Sequence, residues 1–464
     1  MKNLPGSNRN RVLFITAPIH SHVSPTFYLA DMLSENYDIY YTVYSESLAD
    51  MVKVNGYTSV IDDKFRITKR QEYEYLLASK GKAGFWRVFW SIWTNEIYHH
   101  RKKQLLELIK AVNPDVIFID IFHSADFLVL YGLLPEIKIL FYNPMLSTYA
   151  GANFPLIPIN YSEETELPLS VSATGNLGRT GKFRQVIFDN ALRQQWPMLL
   201  QETKLSAAHV ALRTHFGFLF DNIPEIILAP LELELIPDLI SNNQHYMGLC
   251  LPGMAKSRDI DGTFDYMWNC VKMAKLNGDK IIYCSFGSFY DGPNTVLVDF
   301  LKRLLESIST FNDIQFICSV NTLVIEDVKG LKGISPKVHF FSRVPQLEIL
   351  ELADLHITHG GIGSIKESIH CAVPMLVYPL DLRYDQYGNG FRVEQHGLGL
   401  QGVLRDESSA LIRDKILNIL NNHEFNLSVR RFRDVCNKKY SKYRSEEILS
   451  ELIESKSEFD GHVN

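Results

Sequence analysis

The segment 353–399 contains side chains and a glycine-rich turn that could bind a phosphorylated ligand. Leu355 to Thr358 is a short apolar run, which is typical of a parallel core strand. Glycines in the turn after it lack side chains, so a ligand can approach the backbone closely. The following helix, predicted from Ser364 to about Cys371, would direct free N–H groups and its dipole toward an anion. His359 could donate a further hydrogen bond, so the segment predicts a diphosphate site.

A purely structural interpretation of the same residues stays open. Ser364 and Glu367 have the spacing of a capping box, in which they would only cap the helix. Glycines in a turn between a strand and a helix also occur for geometric reasons, and no dinucleotide-binding G-x-G-x-x-G is present. The downstream pair Asp385 and Gln386 favours the ligand site, because these side chains can bind sugar hydroxyls.

The N-terminal region offers a general base. An apolar strand at Arg11–Thr16 is followed by His22, and Ser24 and Pro25 are predicted as the N-cap and first residue of a helix. His22 would therefore lie in the loop at the ligand-binding edge of a doubly wound sheet. An imidazole there could deprotonate a hydroxyl. His20, two positions earlier, is the alternative.

A carboxylate partner for this base is predicted at the end of a second strand. The residues 113–120 form a turn and an apolar run that ends in Asp120. Its position is the carboxyl edge that also holds His22, where a carboxylate could orient the imidazole and stabilise its charged form. Asp120 could instead cap the next segment, and Asp126 is the weaker alternative.

The chain length and the alternation of strands and helices predict two α/β halves. A chain of 464 residues is too long for one core. Strands are expected near 11–16, 38–43, 115–120 and 137–142, and again near 280–285, 314–319, 337–341, 355–358 and 374–378. We predict an N-terminal acceptor-binding domain (1–250), a linker (251–278), a C-terminal nucleotide-sugar domain (279–440), and a final helix that crosses back toward the first domain, with a tail (441–464).

The residues from Arg343 to Gln386 resemble the nucleotide-binding signature of the family 1 UDP-glycosyltransferases. The chain has the sequence elements of that family in the same order, namely Val-Pro-Gln, His-Gly-Gly, Gly-Ser, Glu, Val-Pro and Asp-Gln. The strand and loop at 281–288 and the His-Val-Ser-Pro element at 22–25 resemble further family segments. The resemblance implies the GT-B fold, in which two Rossmann-like α/β/α domains face each other across a cleft.

The resemblance also implies roles for individual residues. His22 would be the base and Asp120 its partner, while the donor nucleotide and sugar would be bound by Ser288, Arg343, Val344, Gln346, His359, Gly361, Gly363, Ser364, Glu367, Asp385 and Gln386. Arg343 occupies a position where many relatives have an aromatic residue that stacks on uracil, although a guanidinium plane can also stack on a base. Because two extra residues precede Asp385, Asp381 or Arg383 could also reach the donor sugar.

These parts imply an inverting glycosyltransferase that moves a hexose, commonly glucose in the family, from a UDP-sugar to a hydroxyl of a hydrophobic small molecule. Phenols, polyketides, macrolides, terpenoids and lipids are the acceptor classes considered. An epimerase or hydrolase acting on UDP-sugars in the same fold, and a non-catalytic binding protein, are the alternatives.

An aromatic stripe bears on the acceptor. Trp86, Trp90 and Trp93 lie at helical spacings of four and three, so they share one face of a helix. Such a stripe is more often core packing. Alternatively it lines the acceptor site, or enters a membrane surface to reach a lipid acceptor.

Composition excludes several other classes. A net charge of −6 gives no nucleic-acid footprint. The six cysteines form no C-x-x-C and indicate a reducing compartment, and no signal peptide or membrane span is predicted, so a cytoplasmic location is expected. The Asp-x-Asp at Asp259 and Asp261 is interpreted as a solvated loop. Neither a metal nor any other cofactor is expected.

Overall fold

The structure is a computed structural model. It describes residues 9–62, 65, 72–133, 136–146, 197–203, 205, 210–211, 219–220, 223–237, 242–251, 262–287, 294–329, 335–382 and 385–455. Two parallel sheets dominate these residues, one in each half of the chain.

The first half is built on a seven-stranded sheet in which every paired strand is parallel. Its strands are β1 (Asn10–Ile15), β2 (Tyr37–Val43), β3 (Thr58–Ile61), β4 (Val116–Asp120), β5 (Lys138–Asn143), β8 (Glu225–Ile227) and β9 (Gln244–Tyr246). Between β5 and β8, β6 (Val210–Ala211) and β7 (Leu219–Phe220) form a separate antiparallel pair. The strand order is β3-β2-β1-β4-β5-β8-β9, so the order reverses next to β1.

Helices cover this sheet because the strands are apolar on both faces. They include α1 (His20–Val23), α2 (Phe27–Leu33), α3 (Glu46–Val54), α4 (Glu72–Lys80), α5 (Phe85–Trp93), α6 (Glu96–Val112) and α7 (Phe127–Leu130). The inner strands β1 and β4 are almost wholly buried, which holds their carboxyl ends in fixed positions.

The second half repeats this plan on six parallel strands. They are β10 (Lys280–Ser285), β11 (Ile314–Ser319), β12 (Val338–Phe341), β13 (Leu355–Thr358), β14 (Met375–Val377) and β15 (Gly399–Gln401), in the order β12-β11-β10-β13-β14-β15. The helices include α8 (Phe264–Leu276), α9 (Asn294–Ile308), α10 (Thr322–Lys329), α11 (Gln346–Leu350), α12 (Ile362–His370), α13 (Gln386–Gln395), α14 (Ser409–Asn421), α15 (His423–Lys439) and α16 (Lys442–Glu454).

Buried contacts join the two halves. The Lys366 ammonium on α12 donates to the backbone oxygen of Leu228 at 2.6 Å. Arg392 on α13 forms an ion pair with Glu234 at 3.0 Å, and both side chains are buried. Helix α16 packs on the first half, where its Leu449 belongs to the same apolar cluster as the strand residues of β1.

The α/β architecture with two Rossmann-like halves is confirmed, and the predicted strands lie within one residue of the observed ones. Two local predictions were wrong. Helix α12 begins at Ile362 rather than near Ser364. Ser24 does not cap the first helix, because the chain already turns helically from His20 and continues through a 3-10 turn at Ser24–Thr26. The Asp-x-Asp pair and residues 252–261 of the predicted linker lie outside the described residues. The later part of the predicted linker is not a polar loop, because Phe264–Leu276 form helix α8, whose Phe264, Met267, Trp268 and Val271 are buried.

Candidate active site between two Rossmann-like halves

The general-base candidate and its carboxylate come from neighbouring strands. His22 lies on α1, directly after β1, and Asp120 is the last residue of β4. Because β1 and β4 pair in parallel, their carboxyl ends meet at the same edge of the sheet. The sequence predicted a loop at His22, whereas the structure has a helical turn that fixes the direction of the side chain.

The contact between these side chains is direct. His22 Nδ1 lies 2.9 Å from Asp120 Oδ2, and both residues are buried. A carboxylate only accepts, so Nδ1 carries the proton and Nε2 is left with its lone pair. The Phe122 N–H donates to the other Asp120 oxygen at 2.8 Å, and the Phe122 ring lies 4.4 Å from the imidazole. The arrangement therefore fixes the tautomer and the orientation of a base.

The electrostatics keep Asp120 ionised. Burial alone would raise the pKa of Asp120, but the charge and hydrogen bond of His22 and the Phe122 N–H outweigh burial and lower this pKa. The alternative residues for the base and its carboxylate, His20 and Asp126, contact other side chains. His20 is exposed and contacts Ser47 at 3.2 Å, and Asp126 pairs with Arg101 at 2.7 Å.

The glycine turn opens onto the N-terminus of α12. Gly360 has a φ of +86°, and a Cβ there would meet Val377 at 2.8 Å and a backbone oxygen of Gln386 at 2.9 Å. Gly361 is the N-cap, and a Cβ at Gly363 would have no atom within 4 Å. The open space beside Gly363 and the free N–H groups of the first turn together suit an anion.

Ser364 is the third residue of α12, so it is not the N-cap of this helix. Its hydroxyl accepts a long hydrogen bond of 3.4 Å from Gln346. The capping-box interpretation is therefore wrong, and both the hydroxyl and the N–H of Ser364 lie in the turn that faces the open space.

His359 lies between two glycines. A Cβ at Gly287 would meet the His359 ring at 2.8 Å, and one at Gly361 would meet it at 2.6 Å. The missing side chains thus make room for this imidazole. Burial lowers the pKa of His359 to about 4, so the ring is neutral at pH 7 and can donate an N–H rather than a charge.

Gln346, the first residue of α11, and Glu367, in the second turn of α12, form a polar cluster. The Gln346 amide donates to the Glu367 carboxylate, and its oxygen accepts from the Tyr283 hydroxyl at 3.0 Å. Burial raises the pKa of Glu367 to about 6, although the Gln346 hydrogen bond and the Lys366 charge oppose the shift. The cluster offers a carboxylate acceptor whose orientation is fixed.

Asp385 and Gln386 differ in what they contact. Gln386 uses its side-chain oxygen to accept from the backbone N–H groups of Leu380 and Asp381, each at 2.9 Å, so this atom orders the preceding loop. Asp385 accepts from Asn389 at 2.9 Å. Burial raises the pKa of Asp385, while the charge of His22 is among the effects that lower it. Asp385 and the base are therefore within electrostatic reach across the joint.

A second electrostatic effect acts between the halves near the residues predicted to bind uracil. After burial, the positive charge of Arg343 is the main effect that lowers the pKa of His20. Arg343 is exposed and Val344 is half-buried. Ser288 and Arg383 lie outside the described residues, so their predicted roles stay predictions.

The tryptophan stripe is exposed. Trp86, Trp90 and Trp93 on α5 are 60%, 54% and 45% exposed, whereas Val88 and Ile92 on the same helix are buried. The core-packing interpretation is therefore wrong for these three residues.

Sequence reasoning missed three residues that support the site. Phe122 contacts both members of the dyad, Tyr283 fixes Gln346, and Asn389 fixes Asp385. Asn389 had a detectable signal, because it follows Asp385 by four residues at the start of a helix. The other two lie on different elements from their partners, and no local pattern connects them.

Comparisons with known proteins agree with this geometry. Residues 315–439 match the family described as the glycosyltransferase family 28 C-terminal domain. The NDP-glycosyltransferase YjiC of Bacillus subtilis is 23% identical over 397 residues, which cover 84% of this chain and 83% of that protein. The solved glycotransferase of kitacinnamycin superposes with a TM-score of 0.67 at 17% identity, over 96% of this chain and 99% of that one. The chain is therefore similar to family 1-like GT-B glycosyltransferases.

A second relative has a higher identity over a shorter range. The uncharacterized UDP-glucosyltransferase YdhE of Bacillus subtilis is 28% identical over 184 residues, which are 39% of this chain and 44% of that protein. The match thus spans less than half the length of YdhE. In GT-B terms, the glycine turn and α12 belong to the C-terminal half, and the His22–Asp120 dyad belongs to the N-terminal half.

Proposed function

We propose that the protein is an inverting glycosyltransferase that moves a hexose from a UDP-sugar to a hydroxyl of a hydrophobic small molecule, with glucose as the sugar. The observation that carries the proposal is the buried His22–Asp120 dyad within electrostatic reach of Asp385. Similarity to a UDP-glucosyltransferase and to an NDP-glycosyltransferase supports the reaction class.

The proposed reaction uses the side chains of His22 and Asp120. His22 Nε2 takes the proton of the acceptor hydroxyl while that oxygen attacks the anomeric carbon. The bond between this carbon and the diphosphate oxygen breaks on the opposite face, which inverts the anomeric configuration. Asp120 stabilises the imidazolium, and general-base assistance of this kind is worth on the order of 10²–10⁴ in rate.

The donor would lie against the second half. The first-turn N–H groups of α12, Ser364 and the neutral His359 would donate to the diphosphate and stabilise the charge that develops as it leaves. Glu367 would accept from the ribose hydroxyls, and Asp385 from hydroxyls of the sugar. Arg343, Val344 and Gln346 would contact the uracil.

The proposal is tested by incubating the protein with UDP-glucose and a panel of phenolic and macrolide acceptors. UDP release and product mass are followed for the wild type, for His22→Ala and for the matched control His20→Ala. We expect acceptor-dependent UDP release that His22→Ala lowers by on the order of 10²–10⁴ and His20→Ala preserves. UDP release without any acceptor would favour a hydrolase instead, and unchanged turnover in His22→Ala would contradict the assignment of the base.

A further inference from the structure

Helix α5 has an outward face made of aromatic side chains. Trp86, Phe89, Trp90 and Trp93 follow each other at i, i+3, i+4 and i+7, which places them on one side of the helix. The three tryptophans are 45–60% exposed, and Phe89 is half-buried. Single exposed apolar residues are common on soluble proteins. A contiguous exposed group of large apolar side chains instead indicates a contact surface.

The opposite face anchors the helix. Val88 and Ile92 are buried in an apolar cluster with Tyr75, Leu76 and Ile97 of the adjoining helices. Helix α5 therefore already has its core contact, and the tryptophans are not needed to hold it. Phe89 lies at the edge of the outward face, because it packs partly against this cluster and its ring also stacks on Trp93 with centroids 6.1 Å apart.

The surroundings of the stripe are basic, in contrast to the chain as a whole. The residues from Lys80 to Asn95 include Lys80, Lys82 and Arg87 and no acidic residue, whereas the chain has a net charge of −6. The next acidic residue, Glu96, is already contacted by Lys80 and Arg87. Lys82 is exposed. The patch therefore combines tryptophans with a local excess of positive charge.

We infer that the stripe, defined as Trp86, Phe89, Trp90 and Trp93, docks the protein onto an anionic lipid surface. Tryptophan favours the boundary between headgroups and acyl chains, and each nearby cation gains from a negatively charged membrane surface. This inference goes beyond the proposed function, because docking requires neither donor nor acceptor.

The size and charge of the patch disfavour the other occupants. Helix α5 has nine residues and is about 13 Å long, so one of its faces provides much less than the roughly 800 Å² per partner of a stable protein interface. A second copy of the chain, packed through the same face, would bring Lys82 and Arg87 close to their own equivalents. An anionic surface instead complements these charges.

The test measures sedimentation of the full chain with vesicles, in the absence of UDP-sugar and acceptor. Vesicles of phosphatidylcholine alone are compared with vesicles that also contain phosphatidylserine. Wild type is compared with the triple variant Trp86→Ser, Trp90→Ser, Trp93→Ser, with Lys82→Glu, and with the control Tyr266→Ser, which removes an aromatic side chain that is 81% exposed on α8. Turnover of a soluble acceptor is measured in parallel.

We expect binding to the phosphatidylserine vesicles that weakens as salt is added, because the charges are exposed. The triple variant should lose at least about tenfold in partitioning, since several interfacial aromatic rings are removed. Lys82→Glu should weaken binding less, and Tyr266→Ser should not change it. Vesicle binding without glycosyl transfer would support docking while the proposed function fails.

Three results would overturn the inference. The first is no binding to either vesicle, and the second is equal binding to both. The third is a triple variant that binds vesicles normally but loses turnover of the soluble acceptor, which would assign the stripe to the acceptor site. Far-ultraviolet circular dichroism of the triple variant checks that the exposed substitutions preserve the fold.

Discussion

At the residue scale, the proposed acid–base chemistry depends on one short contact. His22 Nδ1 and Asp120 Oδ2 are 2.9 Å apart in a buried setting, so Asp120 decides which nitrogen of the imidazole is free to accept a proton. The carboxylate is held in turn by the Phe122 N–H. A substitution that removes the charge of Asp120 but keeps the shape of its side chain should therefore lower the reaction rate more than the stability of the fold.

Asp120→Asn is expected to lower kcat by on the order of 10²–10⁴, because the amide can stabilise the wrong tautomer and cannot stabilise the imidazolium. The measurement is acceptor-dependent UDP release across pH. The control is Asp115→Asn near the opposite end of β4, where the side chain accepts from the backbone N–H of Arg11 at 2.7 Å. A kcat for Asp120→Asn within twofold of the wild type would contradict the role of the dyad.

Glu367, which we propose binds the ribose of the donor, also affects the stability of the fold. Its folded pKa of about 6 lies above the ordinary glutamate value of about 4.3, so the native state binds a proton that the unfolded state has already lost between these pH values. The free energy of unfolding therefore falls as pH rises through this window. The ionised carboxylate is a cost to folding that the Gln346 hydrogen bond only partly offsets.

Glu367→Gln should thus be more stable than the wild type above pH 6, by about 1–2 kcal/mol, and equal to it near pH 4. The same variant should bind UDP more weakly, because an amide is a poorer acceptor for the ribose hydroxyls. Urea unfolding at both pH values and calorimetric titration with UDP measure the two effects. Lower stability of the variant at pH 7 would show that Glu367 stabilises the fold.

At the element scale, the turn before α12 uses glycines for two different reasons. Gly360 has a positive φ and close neighbours, so its lack of a side chain serves the backbone. Gly363 lies in the first turn of the helix with open space beside it, so its lack of a side chain leaves room for a ligand. The two positions therefore separate a folding requirement from a binding requirement.

Gly360→Ala should lower the free energy of unfolding by about 1–3 kcal/mol, because the left-handed φ and the contacts with Val377 and the Gln386 backbone both penalise a Cβ. Gly363→Ala should leave stability unchanged or raise it by about 0.5–1 kcal/mol, since alanine favours helix. It should weaken UDP binding instead. Thermal unfolding and UDP titration of the pair distinguish these effects, and equal UDP affinity of Gly363→Ala and wild type would place the diphosphate elsewhere.

The sequence was sufficient for nine strands and for the dyad because these depend on local patterns, but the short strands β3, β8, β9 and β15 were not predicted. Apolar runs mark the strands, and parallel pairing then brings the residues after β1 and β4 to one edge. It was not sufficient where contacts join distant elements. Arg101, a member of a basic run on α6, is buried and contacts Asp62 and Asp126 at 2.8 and 2.7 Å. No spacing predicts such a cluster, and the exposure of the tryptophans likewise depends on which face of α5 packs.

At the scale of the whole molecule, the joint between the halves positions the chemistry. Arg392 lies on α13, the helix that begins directly after Asp385, and it pairs with Glu234 of the first half. Lys366 reaches the Leu228 backbone from the helix that would hold the diphosphate. Helix α16 adds apolar contacts to the first sheet. Among the described residues, no helix is long and apolar enough to cross a membrane.

Arg392→Met should lower the free energy of unfolding by about 3–5 kcal/mol, because it removes the cation that faces a buried Glu234 carboxylate. The matched control is Arg433→Met on α15, whose pairing with Asp434 at 3.1 Å lies at the surface and is worth at most about 1 kcal/mol. Urea unfolding measures both costs. Hydrogen exchange should show amides of α13 and of the segment 231–234 opening together in Arg392→Met, since the pair ties α13 to this segment. Equal stability of the two variants would show that the joint depends on its apolar contacts rather than on this ion pair.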